Sequence, residues 1–407
     1  MLIHRLLVLR FTDVVYYVFM KILAIETSCD ETSVSVVENG TKIHSLVVNS
    51  QIDIHKAYGG VVPEIAARSH IEVMLPVVQQ GLDDASMTWD DIDAIAVTQG
   101  PGLLGSLLIG TLTARTLAWS LNKPLYPVHH ILGHVYANWI TKGPEFSGPY
   151  PSTVPEFPIL ALIVSGGHTQ LMLASSHTDW RVIGRTRDDA VGEAFDKVAK
   201  VLGLPYPGGP SVAVAAKNGN FKKYNLPMPQ VSSIEPALTD LREKMLDSKD
   251  KIESLTNLKA KTMNLKSATS YNFSFSGLKT AVLRAVQREC GKSHGFPSFE
   301  LAALLNDGQV NDFAASFEAK AIEYLVSKTK KAFEEFQPKS IIIGGGVAAS
   351  LPLRTALSNK IPIQINYAPQ ILCTDNAAMI GARAYFQAQF EEPTDPGRLI
   401  TKPSWPL

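Results

Sequence analysis

Lys21 to Val37 reads KILAIETSCDETSVSVV, and Ile159 to Ala174 reads ILALIVSGGHTQLMLA. At an offset of 137 positions Ile22, Leu23 and Ala24 fall on Ile159, Leu160 and Ala161, and Ser28 and Thr32 fall on Ser165 and Thr169. Each stretch is an apolar run, a small polar turn and an alternating run (Val34 and Val36; Leu171 and Leu173), the pattern of two strands around a tight turn. A chance likeness between two apolar hairpins is the alternative, and a second shared device weighs against it. In the first half the strand pattern Asp93–Thr98 runs into Gly100–Gly102 and a helical stretch, Leu103–Leu121. In the second, Ser340–Ile343 runs into Gly344, Gly345 and Gly346 and a helical stretch from Val347 to Asn359.

A duplicated unit of hairpin, strand, glycine loop and helix is the layout of the actin-like, sugar-kinase-like and Hsp70-like α/β fold, in which a nucleotide lies between two halves. With 407 residues the chain exceeds the size at which one core usually keeps growing, so two domains around a cleft are expected. The pattern divides it into residues 1–20, a first half 21–155, a second half 156–385 and a tail 386–407. A charged segment at about 230–267, with helical spacing at Leu241, Met245, Ile252, Leu255 and Leu258, reads as an insertion into the second half. Lys259, Lys261 and Lys266 at its end suit either RNA phosphates or a solvated helical face.

Apolar residues at 45% and charged residues at 19% describe a globular chain rather than a disordered or fibrous one. Cys29, Cys290 and Cys373 are odd in number and far apart, which fits a reducing compartment and rules out a CxxC metal knuckle. The 38 basic and 38 acidic residues cancel, so a polyanion would be held only by a local patch. Residues 1–20 carry Arg5, Arg10 and the single acid Asp13 among apolar residues, with no run long enough to span a membrane. This stretch resembles an organellar transit peptide, although it lacks the usual serines, so the expected location is the mitochondrial matrix, the alternative being an ordinary buried N-terminal segment.

Ser165, Gly166, Gly167 and His168 form a turn whose free N–H groups and small side chains admit a phosphate, and Gly344–Gly346 before a helix forms a second anion-friendly loop. Tight hairpins and close helix packing also want glycines, so each loop alone is weak. His130 and His134 in HHILGH are four apart, which on a helix places both imidazoles on one face, either as two metal ligands or as core histidines. The absence of HExxH disfavours a zincin protease. Asp375, just before a run of small residues, is the expected third ligand. Asp30 and Glu31 fall in the first hairpin turn, where paired acids suit proton transfer or cation binding. Asp196, followed by Gly208 and Gly209, suits a ribose hydroxyl or, equally, helix capping.

ETSCDETS (Glu26–Ser33), SQIDIHKAYGGVVPE (Ser50–Glu64), HHILGH (His129–His134), VSGGHT (Val164–Thr169), GEAFDK (Gly192–Lys197), YPGGP (Tyr206–Pro210), FSFSGLKTA (Phe273–Ala281), GGGVAA (Gly344–Ala349) and CTDNAAMIG (Cys373–Gly381) appear in order. Together they resemble the tRNA threonylcarbamoyladenosine transferases, a group once labelled O-sialoglycoprotein endopeptidases. The resemblance implies a divalent metal, iron or zinc, on His130, His134 and Asp375. It also implies threonylcarbamoyl-AMP as donor, its nucleotide part against Val164 to His168, Asp196, Gly209 and Gly344 to Gly346, with ATP or AMP able to occupy the same cleft. The acceptor is the amine of the adenosine 3′ of the anticodon, in tRNAs reading codons that begin with adenine. Asp30 or Glu31 is the candidate base, AMP the leaving group, a threonylcarbamoyl-AMP synthase the supplier, and a homodimer the expected assembly. Ser350 and Ala213 depart from the pattern, where Asn and Glu are usual; both positions are expected near the nucleotide, with Ser350 among the residues that bind it. Two other classes remain: a kinase of the same fold, which would not need paired histidines, and a non-catalytic nucleotide-binding partner, which would tolerate loss of Asp30 and Glu31.

Overall fold

The computed structural model describes residues 19–144, 150–151, 153–231 and 271–407. Nearly all of the transit-like segment and of the insertion, with its lysines, lies outside the described residues. In the first half, strands β1 (Lys21–Glu26), β2 (Glu31–Glu38) and β3 (Lys42–Ser50) form an antiparallel meander, and β4 (Ala94–Gly100) and β5 (Leu125–His129) join β1 in parallel, in the order β3-β2-β1-β4-β5. The second half repeats this with β6 (Ile159–Val164), β7 (Thr169–Ala174), β8 (Trp180–Arg185), β9 (Ser340–Gly344) and β10 (Ile365–Tyr367), in the order β8-β7-β6-β9-β10. Identical strand order, sense by sense, establishes the duplicated actin-like fold that the paired hairpins predict.

Strand residues alternate between faces, and here both faces are buried. Ile22 and Ala24 of β1 and Ile159, Ala161 and Ile163 of β6 share one core between the sheets. That core also takes helices α4 (His130–Tyr136) and α11 (Ala377–Ala388). The opposite faces are covered separately. Leu23 and Ile25 meet α2 (Pro63–Asp84) and α3 (Leu104–Ser120). Leu160 and Leu162 meet α5 (Val191–Leu202), α6 (Gly208–Ala216), α7 (Ser276–Glu289), the short α8 (Ser298–Leu301) and the long α9 (Asp307–Phe336). A further short helix, α1 (Ile52–Lys56), follows β3.

Two expectations change. Helix α11 packs against α4 and strands β1, β2 and β5, so the chain returns to the first half before residue 385. Its buried alanines, Ala377, Ala378, Ala382 and Ala384, and Gly381 against Val37, let it lie close to that sheet. After Gly344–Gly346 no α-helix begins at once: a 3₁₀ turn, Gly346–Ala349, precedes α10 (Leu351–Lys360). Ser350 caps α10 by accepting from the Leu353 N–H, and Pro352 sits in its first turn, which fixes the start there.

Candidate active site and metal centre

The described ligand atoms of His130, His134 and Asp375 lie within 4.8 Å of one another. Helix α4 supplies both imidazoles, and Asp375 comes from the turn before α11, whose cap Asn376 accepts from the Met379 N–H. His130 Nε2 is 3.5 Å and His134 Nε2 3.1 Å from Asp375 Oδ1. His134 is buried, and apart from the Nε2 contact with Asp375 its ring nitrogens have no hydrogen-bond partner among the described residues. Buried polar atoms are rarely left so, and two imidazoles with one carboxylate suit iron(II) or zinc with positions left open.

Behind this trio stands Glu26, fully buried at the end of β1. Its carboxylate accepts from His130 Nδ1 at 3.1 Å, from the Ser28 N–H at 2.5 Å and from the Thr98 hydroxyl at 2.5 Å. The bond to Nδ1 assigns the tautomer that leaves His130 Nε2 as the free lone pair. Burial disfavours charge on His130, but the carboxylates of Asp375 and Glu26 outweigh it and push its pKa up to about 9, so without a metal Nε2 also carries a proton, which a bound ion would displace. Asp375 is held well below the usual carboxylate range, because the charges of His130 and His134 overcome its burial. Sequence reading passed over Glu26; an acid ending an otherwise apolar, doubly buried strand is the signal that marks it.

Asp30 lies in the turn and Glu31 is already the first residue of β2. Burial, then the charges of Asp375 and Asp30, raise the Glu31 carboxyl well above the usual range, and it shares a hydrogen bond with Asp30. His70 on α2 fastens the turn from behind, its Nε2 donating to the Cys29 carbonyl at 3.0 Å and its Nδ1 accepting from the Thr32 hydroxyl at 2.7 Å. Burial lowers its pKa, which keeps the ring neutral and able to make both bonds. The Cys29 thiol is pushed far upward by burial and by Asp30, so it is no nucleophile.

The two glycine loops meet at this place. A Cβ on Gly345, whose φ is +90°, would strike the Val164 carbonyl, and one on Gly344 would crowd the His134 carbonyl, so both are required by close backbone approach. In contrast, a Cβ on Gly166, Gly167 or Gly209 would meet nothing within 4 Å. These three face open space. His168 lies near enough that His130, His134 and Asp375 act on it, though burial is the main reason its pKa falls to about 4. Asp196 is in the middle of α5, and its carboxylate accepts at 2.7 Å from the N–H of Gly208, the first residue of α6, so the capping role is real but made across helices. Burial raises its pKa, partly offset by that N–H. Tyr206, which sequence reading did not single out, connects the two regions: its phenol is pushed up by burial and by the charges of Asp30 and Asp196. Ser350 spends its hydroxyl on the α10 cap.

A family profile described as "TsaD: tRNA N6-adenosine threonylcarbamoyltransferase" matches residues 42–243 and 232–382. A protein of that name from Thermomicrobium roseum is 42% identical over 377 residues, spanning 91% of this chain and 92% of the relative. One from Halalkalibacterium halodurans is 46% identical over 366 residues, spanning 89% and 90%. One from Bacillus subtilis is 43% identical over 367 residues, spanning 89% of both chains.

Proposed function

This chain belongs to the TsaD family of tRNA N6-adenosine threonylcarbamoyltransferases, and from that premise we propose how its cleft carries out the transfer. The reaction places a threonylcarbamoyl group on N6 of an adenosine in tRNA. The donor is threonylcarbamoyl-AMP, and the acceptor is the adenosine immediately 3′ of the anticodon in tRNAs reading codons that begin with adenine. The observation carrying this reading is convergence: the His130, His134 and Asp375 ligand atoms lie within 4.8 Å of one another, Asp375 acts on the Asp30–Glu31 acid pair, and the two glycine loops meet beside the His134 carbonyl.

His130, His134 and Asp375 would hold a divalent ion, iron or zinc, which when bound would supply Lewis acidity. Gly166, Gly167 and Gly209 let the phosphate and ribose approach the backbone, Gly344 to Gly346 and Val164 to His168 form the adjoining walls, and Asp196 faces the ribose hydroxyls. N6 of adenosine is a weak base, so its proton leaves as the new N–C bond forms. Glu31 shares a hydrogen bond with Asp30, and with Glu31 as the donor Asp30 is oriented to accept that proton. As the N–C bond forms, the bond from the carbamoyl carbon to the phosphate oxygen breaks, and AMP leaves with the electron pair.

The same reading extends to assembly and place. Ile71 and Leu75 on α2 (62% and 70% exposed) and Leu104, Leu108 and Leu112 on α3 (59%, 43% and 44%) form an apolar stripe at helical spacing on the outside of the first half. A second copy of the chain covers it, which light scattering tests with Leu75→Asp. The acid-poor, arginine-bearing residues 1–20 direct import to the mitochondrial matrix, which fusion of those residues to a fluorescent protein tests. A threonylcarbamoyl-AMP synthase supplies the donor without stable binding. Among the described residues no helix is long and apolar enough to cross a membrane.

The deciding test incubates the protein with unmodified tRNA and radiolabelled threonine, bicarbonate and ATP, with and without the synthase. Label in RNA that needs both proteins and vanishes in His130→Ala supports the reading. Label that forms without the synthase, or persists in His130→Ala, overturns it.

A further inference from the structure

The metal-bearing helix α4 has an unusual anchor that the transfer reaction does not use. His129, the residue before it, is buried and holds two bonds at once: its Nδ1 accepts from the Ile131 N–H at 3.2 Å, and its Nε2 lies 2.8 Å from the carbonyl oxygen of Trp405. A carbonyl can only accept, so Nε2 must carry the ring proton, and a neutral imidazole then has its lone pair on Nδ1. That lone pair is what caps the first turn of α4. The Trp405 carbonyl thus selects the tautomer on which the cap depends.

The segment that presents this carbonyl is itself pinned. The Gln99 side-chain amide donates to the Ile400 carbonyl at 2.7 Å, the Lys402 N–H to the Gln99 carbonyl at 2.8 Å, and the Gly102 N–H to the Pro403 carbonyl at 3.1 Å. Gly100, with φ +154°, leaves room for the Lys402 carbonyl, which a Cβ there would overlap. The Trp405 ring lies 4.9 Å from the His129 ring, and the Lys402 ammonium sits 4.3 Å over the Trp405 ring.

We propose that Ile400–Trp405 is a latch that sets how firmly the metal centre holds its ion, with His129 and Trp405 as positioning residues acting through α4. This rests on the reading of His130, His134 and Asp375 as metal ligands. Loosening α4 at its cap lets His130 and His134 swing away from Asp375, and outer supports of metal ligands commonly control affinity by about 10–100-fold.

The test loads the full chain with zinc alone and follows its release to a chromogenic chelator. Wild type should hold one zinc and His130→Ala none. Trp405→Ala and His129→Asn, which keeps a capping oxygen but cannot reach the Trp405 carbonyl, should release zinc about tenfold faster, while Trp405→Phe, which keeps the ring contact, should behave as wild type. Thermal transitions of the metal-free forms should change little. Wild-type release rates in both Trp405→Ala and His129→Asn overturn the latch while leaving the metal centre intact. Equal acceleration in Trp405→Phe, with lowered metal-free stability, also overturns it in favour of general loosening. A wild type that binds no zinc, iron or cobalt overturns the metal reading itself.

Discussion

Replacing Glu26 by Gln removes one negative charge from beneath the metal centre without changing its volume. Three donors converge on the two carboxylate oxygens: the Ser28 N–H at 2.5 Å on one, and the Thr98 hydroxyl at 2.5 Å with His130 Nδ1 at 3.1 Å on the other. A Gln amide has one oxygen, and the less costly orientation turns its NH₂ toward Ser28, keeping the oxygen for Thr98 and His130. One bond to a charged acceptor is lost and a buried N–H faces another N–H, a stability cost of about 1.5–3 kcal/mol. The remaining bond to His130 becomes neutral, so Nε2 is a poorer ligand and its tautomer is less firmly fixed. Zinc affinity should fall about 10–100-fold, or about 1.4–2.8 kcal/mol. Competition with a chromogenic chelator at pH 7, beside a thermal melt of the metal-free protein, separates the two effects. A folded Glu26→Gln protein that binds zinc as tightly as wild type refutes the reasoning.

Asp30→Asn should lower the single-turnover transfer rate about 10²-fold or more, whereas Glu31→Gln, which keeps a donor toward Asp30, should cost far less; equal losses in quench-flow measurements would count against the division of roles. Gly167→Ala should leave the melting temperature unchanged but weaken AMP binding by calorimetry, since its Cβ meets only open cleft, while Gly345→Ala should destabilise the fold through the Val164 carbonyl. His177, stacked on Phe386 and close to Arg383, has its pKa lowered by burial and by that cation from 6.5 to about 4. The unfolded chain therefore binds its proton first, so its contribution to stability is complete above pH 6.5 and is lost as pH falls toward 4. His177→Phe should flatten the melting-temperature profile across that window, and an unchanged slope would remove His177 as a cause.

Much of this was readable in the chain itself. The hairpins starting at Ile22 and Ile159 announce the duplication because a central strand buried on both faces must be apolar throughout, and small polar residues must follow where it turns. Helical spacing places His130 and His134 on one face without deciding between metal ligands and core histidines, and the structure brings Asp375 to them from the start of α11. What stayed hidden depends on partners far away in sequence. Nothing local to Ala377–Ala388 tells which sheet its small residues will pack on. Glu26 and His70 look like a strand end and a helix position until His130 and the Cys29 carbonyl are brought against them. His129 reads as a neighbour of a ligand, and its bond to Trp405 joins residues 276 positions apart. Helix α10 starts beyond the glycines because Ser350 as its cap and Pro352 in its first turn set its beginning, after the 3₁₀ turn Gly346–Ala349.

The most direct measurement supplies the protein with preformed threonylcarbamoyl-AMP and unmodified tRNA, with no ATP, and counts both products. One AMP released for each N6-threonylcarbamoyladenosine formed, abolished together in His130→Ala, is the predicted result. Transfer that requires added ATP, or AMP released without modified tRNA, would contradict direct transfer from the adenylate within this cleft.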